Sequence, residues 1–314
     1  HLASSAASDV YKRQVKDVTS SDLLSLKTDL LVIVINKNTK DKVVNQLAKD
    51  VSSHLKESGS SVLVPNAKSF NAKNVLLVKG FQDSDQIHKL ISMYQSIAQK
   101  GNQLKAKDIS IMPGTVYPKG KCEMWLIEMV AKTIESIVYI FSETCNKTAK
   151  KPSVKKLNIL VSSLTKSDLI KAKNAAKKGY AIGEGVNSAK YLGDLPANHC
   201  TPRIIEKKVK AMTKDFPKLK VKSFNENQMK KMGMGSFLSV SRGSEEPARM
   251  MVIEYKGGKS SEKPVALVGK GVTFDTGGVS IKPSPAMDEM KWDMCGAATV
   301  SYTHLTLPTK PSGW

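Results

Sequence analysis

Apolar runs of strand length alternate with helical patterns through the first half of the chain. Leu30–Ile35 (LLVIVI) is continuously apolar and reads as a strand buried on both faces, whereas Val43, Val44, Leu47, Val51 and Leu55 share one face of a helix over 41–57. The same alternation then repeats. A strand at 75–78 precedes a helix near 84–100 with Ile87, Leu90, Ile91, Tyr94, Ile97 and Ala98 on its apolar side. A strand at 109–112, stopped by Pro113-Gly114, precedes a helix near 121–140, and a further strand covers 157–161. Strands separated by helices predict a mostly parallel sheet covered by helices, so the fold class is α/β and residues 15–163 form a smaller N-terminal αβα domain.

Lysine composition then shifts. Residues 147, 150, 151, 155, 156, 166, 171, 173, 177 and 178 are lysine, against the single acid Asp168. Ser167-Asp168 can cap a helix, and Pro196 ends it, which makes 164–193 a connecting helix. Pro202 opens another helix with Ile204, Ile205, Val209 and Met212. Leu219–Phe224 is strand-like, Gln228–Met232 is a short helix, and Gly233–Leu238 is a glycine-rich loop. Arg249–Tyr255 and Pro264–Val268 read as adjacent strands of a second, larger α/β domain over 194–300. Residues 1–14 and 301–314 follow neither pattern and resemble translated adaptor sequence, so both stretches are set aside. The expectation is a chain truncated near Val300.

Composition narrows the function classes. The longest apolar run, Leu30–Ile35, is far shorter than the roughly 18–20 residues of a membrane span, and no signal-peptide layout opens the chain, which predicts a cytoplasmic protein without membrane partners. Cys122, Cys145, Cys200 and Cys295 are scattered with no C-x-x-C pair, so reduced thiols are expected rather than a disulfide framework or structural zinc. The formal charge of +21 allows anionic partners. Only Arg13, Arg203, Arg242 and Arg249 among the basic residues are arginine, which argues against bidentate reading of bases and leaves nonspecific nucleic-acid or polyanion binding as a second reading beside a solvated lysine surface.

The chemistry is densest between 268 and 300. The apolar run at 264–268 is expected to be a buried strand that delivers Lys270 to its end, and a glycine-punctuated turn carries Asp275 toward Gly277-Gly278 and Lys282. Met290, Asp288 and Asp293 follow. Sheet edges of this kind carry the active sites of open α/β folds. Clustered carboxylates suit hard or borderline dications and hydrolysis at a two-metal site. The bland alternative remains open: turn-forming glycines, a loop-capping aspartate and a surface lysine. A phosphate-binding loop is excluded, because Pro264 stands where the glycine before Gly269-Lys270 would have to be.

Residues 268–300 closely resemble the signature region of the leucine aminopeptidase (cytosol aminopeptidase) family of two-metal exopeptidases. Asn187–Pro202 resembles that family's N-L-x-x-x-P-x-N-x-x-T-P segment, and Met234–Ser244 its G-x-F-L-x-V-x-x-G-S segment. Over 15–163 the likeness lies only in the α/β pattern. The resemblance implies a metallopeptidase domain that releases N-terminal residues, with a leucine-type preference, by metal-activated attack of water. It implies two divalent ions per subunit (zinc, manganese or magnesium), held in part by Lys270, by Asp275 shared between both ions, and by Asp293. Lys282 matches the catalytic lysine, and Met290 matches a residue lining the pocket for the first substrate side chain. The implied partners are peptide substrates and further copies in a homohexamer. A later family segment, N-T-D-A-E-G-R, supplies two more carboxylates and a catalytic arginine. This sequence has three of the five expected ligands and one of the two catalytic cations, so the chain as it stands is expected to be inactive.

Overall fold

The computed structural model describes residues 12–302 except 37–38, 40, 82–86, 115–116, 145–152, 163, 215, 217 and 260. Cys145, the lysines at 147, 150 and 151, and the end stretches 1–11 and 303–314 lie outside the described residues. The rest fall into two units, one within Ser8–Ile140 and Lys150–Glu184, the other within Phe141–Ala149 and Gly185–Trp314.

The first unit contains β1 (Lys12–Asp17), α1 (Ser20–Ser25), β2 (Leu30–Ile35), α2 (Lys42–Asp50), β3 (Ser61–Pro65), β4 (Asn74–Lys79), α3 (Ile87–Gln103), β5 (Asp108–Met112), α4 (Glu123–Val138), β6 (Lys156–Val161) and the first part of α5 (Lys166–Asp194). The strands form one sheet in the order β1-β6-β5-β2-β4-β3, parallel throughout except for β3, which runs antiparallel to β4. The mostly parallel α/β architecture is the one the hydrophobic pattern predicts. Period-two alternation in β2 sends Leu30, Val32 and Val34 into one apolar layer with Tyr94, Ile127 and Ile134, and Leu31 and Ile33 into the other with Val44 and Leu77. Both faces are therefore covered, and the unbroken apolar run is the consequence.

Three pieces differ from the sequence reading. Lys12, Arg13 and Gln14, grouped with the N-terminal stretch, begin β1 and pair in parallel with Lys156, Leu157 and Asn158 of β6. Helix α1 is short and stands on a local device, a capping box in which Thr19 and Asp22 exchange hydrogen bonds. Strand β3 alternates too weakly to be read, because it lies at the sheet edge, half-exposed, and ends in Pro65.

The second unit comprises the end of α5, α6 (Pro202–Met212), β7 (Leu219–Phe224), α7 (Glu226–Lys231), α8 (Gly235–Val240), β8 (Met250–Tyr255), a 3₁₀ segment (Met287–Met294) and α9 (Cys295–Tyr302). Pro202 occupies the first turn of α6 behind the Thr201 cap, as its position predicts. The expected glycine loop is largely helix. Gly233, with φ +74°, ends α7, and the chain re-enters helix at Gly235. The expected partnership of 249–255 with 264–268 is also corrected. Strand β8 pairs antiparallel with β7, and Pro264–Val268 forms no strand among the described residues, leaving Val265 87% and Val268 95% exposed. An apolar run is necessary for a buried strand but not sufficient, since a ladder needs a neighbour to bond with. Ser301 and Tyr302, grouped with the C-terminal stretch, are buried as the last residues of α9.

Candidate functional site

Backbone contacts in the second unit gather three stretches of chain. The extended stretch around Lys270 is held at its carbonyl, which accepts 2.8 Å from the Ala297 N–H at the start of α9. The turn after it closes when the Lys282 N–H donates to the Thr276 carbonyl at 2.9 Å. Consecutive left-handed residues, Gly277 (φ +89°) and Gly278 (φ +77°), make that closure possible, and a side chain at Gly277 would collide with the Ser280 carbonyl. The Asp275 N–H faces the Met290 carbonyl at 3.4 Å, which joins the turn to the 3₁₀ segment.

These contacts bring two ammonium groups onto two carboxylates. Lys270 Nζ lies 2.8 Å from Asp275 Oδ2 and 3.3 Å from Asp293 Oδ1. Lys282 Nζ lies 3.6 Å from Asp275 Oδ2 and 3.4 Å from Asp293 Oδ2, and 2.9 Å from the Met290 sulfur. Asp275 Oδ1 accepts from the Gly277 N–H at 3.1 Å. The hydrogen bond from Lys270, helped by the Gly277 N–H, holds the Asp275 carboxyl below the usual carboxylate range, and the hydrogen bond to Asp275 raises the Lys270 ammonium above its ordinary value. Every carboxylate oxygen of the cluster thus faces a positive or partly positive group.

Of the six residues singled out from the sequence, five, Lys270, Asp275, Lys282, Met290 and Asp293, belong to this cluster. Asp288 does not: it lies exposed on the same 3₁₀ segment and takes no part in the network. The expected route to Lys270 is corrected as well. The lysine side chain is half-exposed at the end of an exposed extended stretch rather than at the end of a buried strand. Among the described residues no three of His, Cys, Asp and Glu come together as a cation-holding group; the donors here are two carboxylates and a lysine amine.

Sequence reasoning missed the seat beneath the cluster. Lys291 Nζ donates to the Asp194 carbonyl at 3.2 Å, where the last turn of α5 leaves its carbonyls unpaired within the helix. A methyl group at Gly193 would lie 2.8 Å from Cys295 Sγ. The one sequence signal was a glycine in the last turn of a long helix, which costs helix stability and calls for a packing reason.

The model of the cytosol aminopeptidase family, catalytic domain, matches residues 187–310. A probable cytosol aminopeptidase of Azotobacter vinelandii is 35% identical over 304 residues, covering 92% of this chain and 60% of the relative. The cytosol aminopeptidase of Pseudomonas aeruginosa is 34% identical over 294 residues, covering 89% of this chain and 58% of the relative. The chain therefore spans about three-fifths of the length of these curated relatives. Among solved structures, a mutant of tomato leucine aminopeptidase matches with TM-score 0.74 at 22% identity, over 94% of this chain and 59% of that one. The bottromycin maturation enzyme BotP in complex with Mn matches with TM-score 0.69 at 22% identity, over 89% of this chain and 56% of that one. At such identities the two structures speak for the fold. Among the described residues, no helix is long and apolar enough to cross a membrane.

Proposed function

Since the chain belongs to the cytosol aminopeptidase family, we propose that it carries a peptidase site that removes N-terminal residues from peptides with two divalent metal ions, built in part from Lys270, Asp275, Lys282 and Asp293. The observation that carries the reading is the convergence of two aspartates and two lysines from three separate stretches of chain within 2.8–3.6 Å. Structural surface ion pairs have no need of such a quartet.

The donor set fits a dication. Asp275 Oδ2 faces both lysines, Asp293 presents Oδ1 to Lys270 and Oδ2 to Lys282, and the two ammonium groups supply the positive charge between the carboxylates. Lys270, Asp275 and Asp293 would hold the metals, with Lys270 ligating as the neutral amine. When bound, two such ions supply Lewis acidity and a nucleophile at neutral pH. The chain's own residues do the rest. Gly277 fixes the rotation of the Asp275 carboxylate through its N–H. Lys282 faces the peptide carbonyl, where its ammonium stabilises the developing oxyanion. Met290, whose sulfur touches the Lys282 ammonium, lies where the first substrate side chain would sit, and a flexible thioether suits a leucine-type residue.

Zinc, manganese and magnesium all accept this donor chemistry. The names of the relatives lead us to place the protein in the cytosol, acting on peptides, and the family resemblance of residues 268–300 leads us to expect a homo-oligomer. The test, made in a protein completed with the family's N-T-D-A-E-G-R segment, is metal content and hydrolysis of an N-terminal leucine amide after loading with Mn²⁺ or Zn²⁺. Asp275→Ala is expected to lose both; equal metal content in wild type and Asp275→Ala overturns the assignment.

One observation favours a second reading, polyanion binding. The first half of α5 exposes Lys166, Lys173 and Lys177 along one side. Retention on heparin that collapses with salt would support it without touching the peptidase reading.

A further inference from the structure

The start of α9 sits in a slot where two glycines approach it closely. A methyl group at Gly193 would lie 2.8 Å from Cys295 Sγ and 3.6 Å from Trp292 Cδ1. A side chain at Gly269 would run into the Gly296 carbonyl and come within 2.6 Å of the Ala297 nitrogen. The residues in the slot are tied at both ends. Lys291, just before them, donates to the Asp194 carbonyl at 3.2 Å, and the Ala297 N–H donates to the Lys270 carbonyl at 2.8 Å.

The consequence concerns the cluster. Asp293 lies between the two ties, and Lys270 is held by one of them, so the slot sets where the carboxylate of Asp293 meets the amine of Lys270. None of Gly193, Gly269 and Cys295 touches that ion pair. We propose that Gly193 and Gly269 are positioning residues of the cation site, acting through the Cys295–Ala297 turn, and that Gly193 and Cys295 are a size-matched pair: a glycine on the helix is what admits a thiol on the turn. This rests on the metal-site reading above, and it identifies residues outside the cluster that control the site. Residues that orient ligands without touching the ion commonly change metal affinity by 10–100-fold. A side chain forced into close-packed surroundings moves its neighbours rather than compressing them.

The test is a size-swap cycle in the 314-residue chain carrying Trp125→Phe and Trp314→Phe, so that Trp292 is the sole indole. Mn²⁺ affinity is measured by calorimetry well below the unfolding midpoint, and Trp292 emission is read in parallel. Gly193→Ala is expected to weaken Mn²⁺ binding by about tenfold or more and to shift Trp292 emission. Gly193→Ala with Cys295→Gly removes the clashing sulfur and is expected to restore both to within about threefold of the parent, a rescue expected only of size-matched neighbours. Should Gly193→Ala alone fail to fold, the double variant still has to fold and bind. Parent-like affinity and emission in Gly193→Ala overturn the proposal, as does a folded double variant with neither restored. If the parent itself binds no Mn²⁺, the metal reading fails, whereas the Trp292 shift and its rescue still decide whether the slot positions the turn.

Discussion

Lys270 and Asp293 meet at 3.3 Å although their side chains leave different segments and Lys270 is half-exposed. An exposed pair of this kind contributes between zero and about 1 kcal/mol, too little to bend two segments together. Backbone contacts do that work: Ala297 N–H to the Lys270 carbonyl, and Asp275 N–H toward the Met290 carbonyl. The charges converge because the backbone brings them together. Lys270→Met is therefore expected to change stability by no more than about 1 kcal/mol while abolishing the Mn²⁺ content of the loaded protein. Chemical denaturation beside metal analysis checks it, and a large loss of stability would show that the ion pair is structural.

Asp275 and Lys282 should separate holding a metal from using it. Asp275 faces both lysines through one oxygen, whereas Lys282 is expected to act as a cation toward substrate. In a protein completed with the family's N-T-D-A-E-G-R segment, Lys282→Ala is expected to keep the metal content of the parent and to lower turnover by about 10²–10³-fold, the usual cost of one oxyanion-stabilising group. Metal lost together with turnover would make Lys282 part of the holding set.

How much of this was legible beforehand depended on whether the cause was local. The sheet of the first unit could be read because each strand's apolar run, such as Leu30–Ile35, carries its own burial pattern. The five cluster residues could be singled out because residues 268–300 resemble a family signature, whereas their spacing alone left turn glycines, a loop-capping aspartate and a surface lysine as an open alternative. Strand β1 could not, because Lys12–Asp17 is polar and owes its place to pairing with β6. Nor could the exposure of Val265 and Val268, since an apolar run does not tell whether a neighbouring strand is there to cover it. Gly193 escaped notice for the same reason: its partner, Cys295, is far away in sequence.

In the first unit, helix α5 crosses α4 on glycines. A methyl group at Gly179 would strike the Glu128 carbonyl and lie 2.8 Å from Ala131 Cβ, and one at Gly183 would lie 2.6 Å from Glu135 Cβ. Intrinsic propensity favours alanine over glycine inside a helix by about 1 kcal/mol, and overpacking costs about 1–3 kcal/mol. The clash involves backbone and a short side chain, which cannot swing aside, so the second effect wins. Gly179→Ala is expected to lower stability by about 1–2 kcal/mol, read as a lower denaturation midpoint. Stabilisation by the substitution would mean that the helices separate freely.

Between β5 and β6 of the same unit a buried polar network needs all its members. The Asn158 amide donates to Ser110 Oγ at 2.8 Å and to Asp108 Oδ1 at 3.1 Å, and Ser110 Oγ bonds Thr28 Oγ1 at 3.3 Å. Asn158→Leu takes away the donor to Ser110 Oγ and one donor to Asp108 Oδ1, leaving Ser110 with Thr28 alone, at an expected cost of about 1–3 kcal/mol. Adding Ser110→Ala removes the hydroxyl that lost its donor and should recover part of the loss. Strict additivity in that cycle would show that the network carries no coupling.

Glu206 makes the acid limb of stability predictable. Its carboxylate meets Lys210 at 2.5 Å and Arg249 at 2.7 Å, tying α6 to the residue that precedes β8. The hydrogen bond from Lys210 leads in lowering its pKa to about 2, assisted by Ser223 and Arg249 and opposed by partial burial. An acid whose pKa is depressed on folding stabilises the native state above its unfolded value, near 4.5, and loses that contribution as pH falls through its folded value. Between about pH 4.5 and 2, stability should therefore decline in part through this one group. Glu206→Gln keeps the shape and removes the titration. It is expected to lower stability at neutral pH by about 1–2 kcal/mol, because Arg249 loses its charged partner, and to flatten the decline below pH 4.5. Denaturation midpoints at pH 7, 4.5 and 3 for both proteins decide it. Parallel curves would assign the acid limb to other carboxylates.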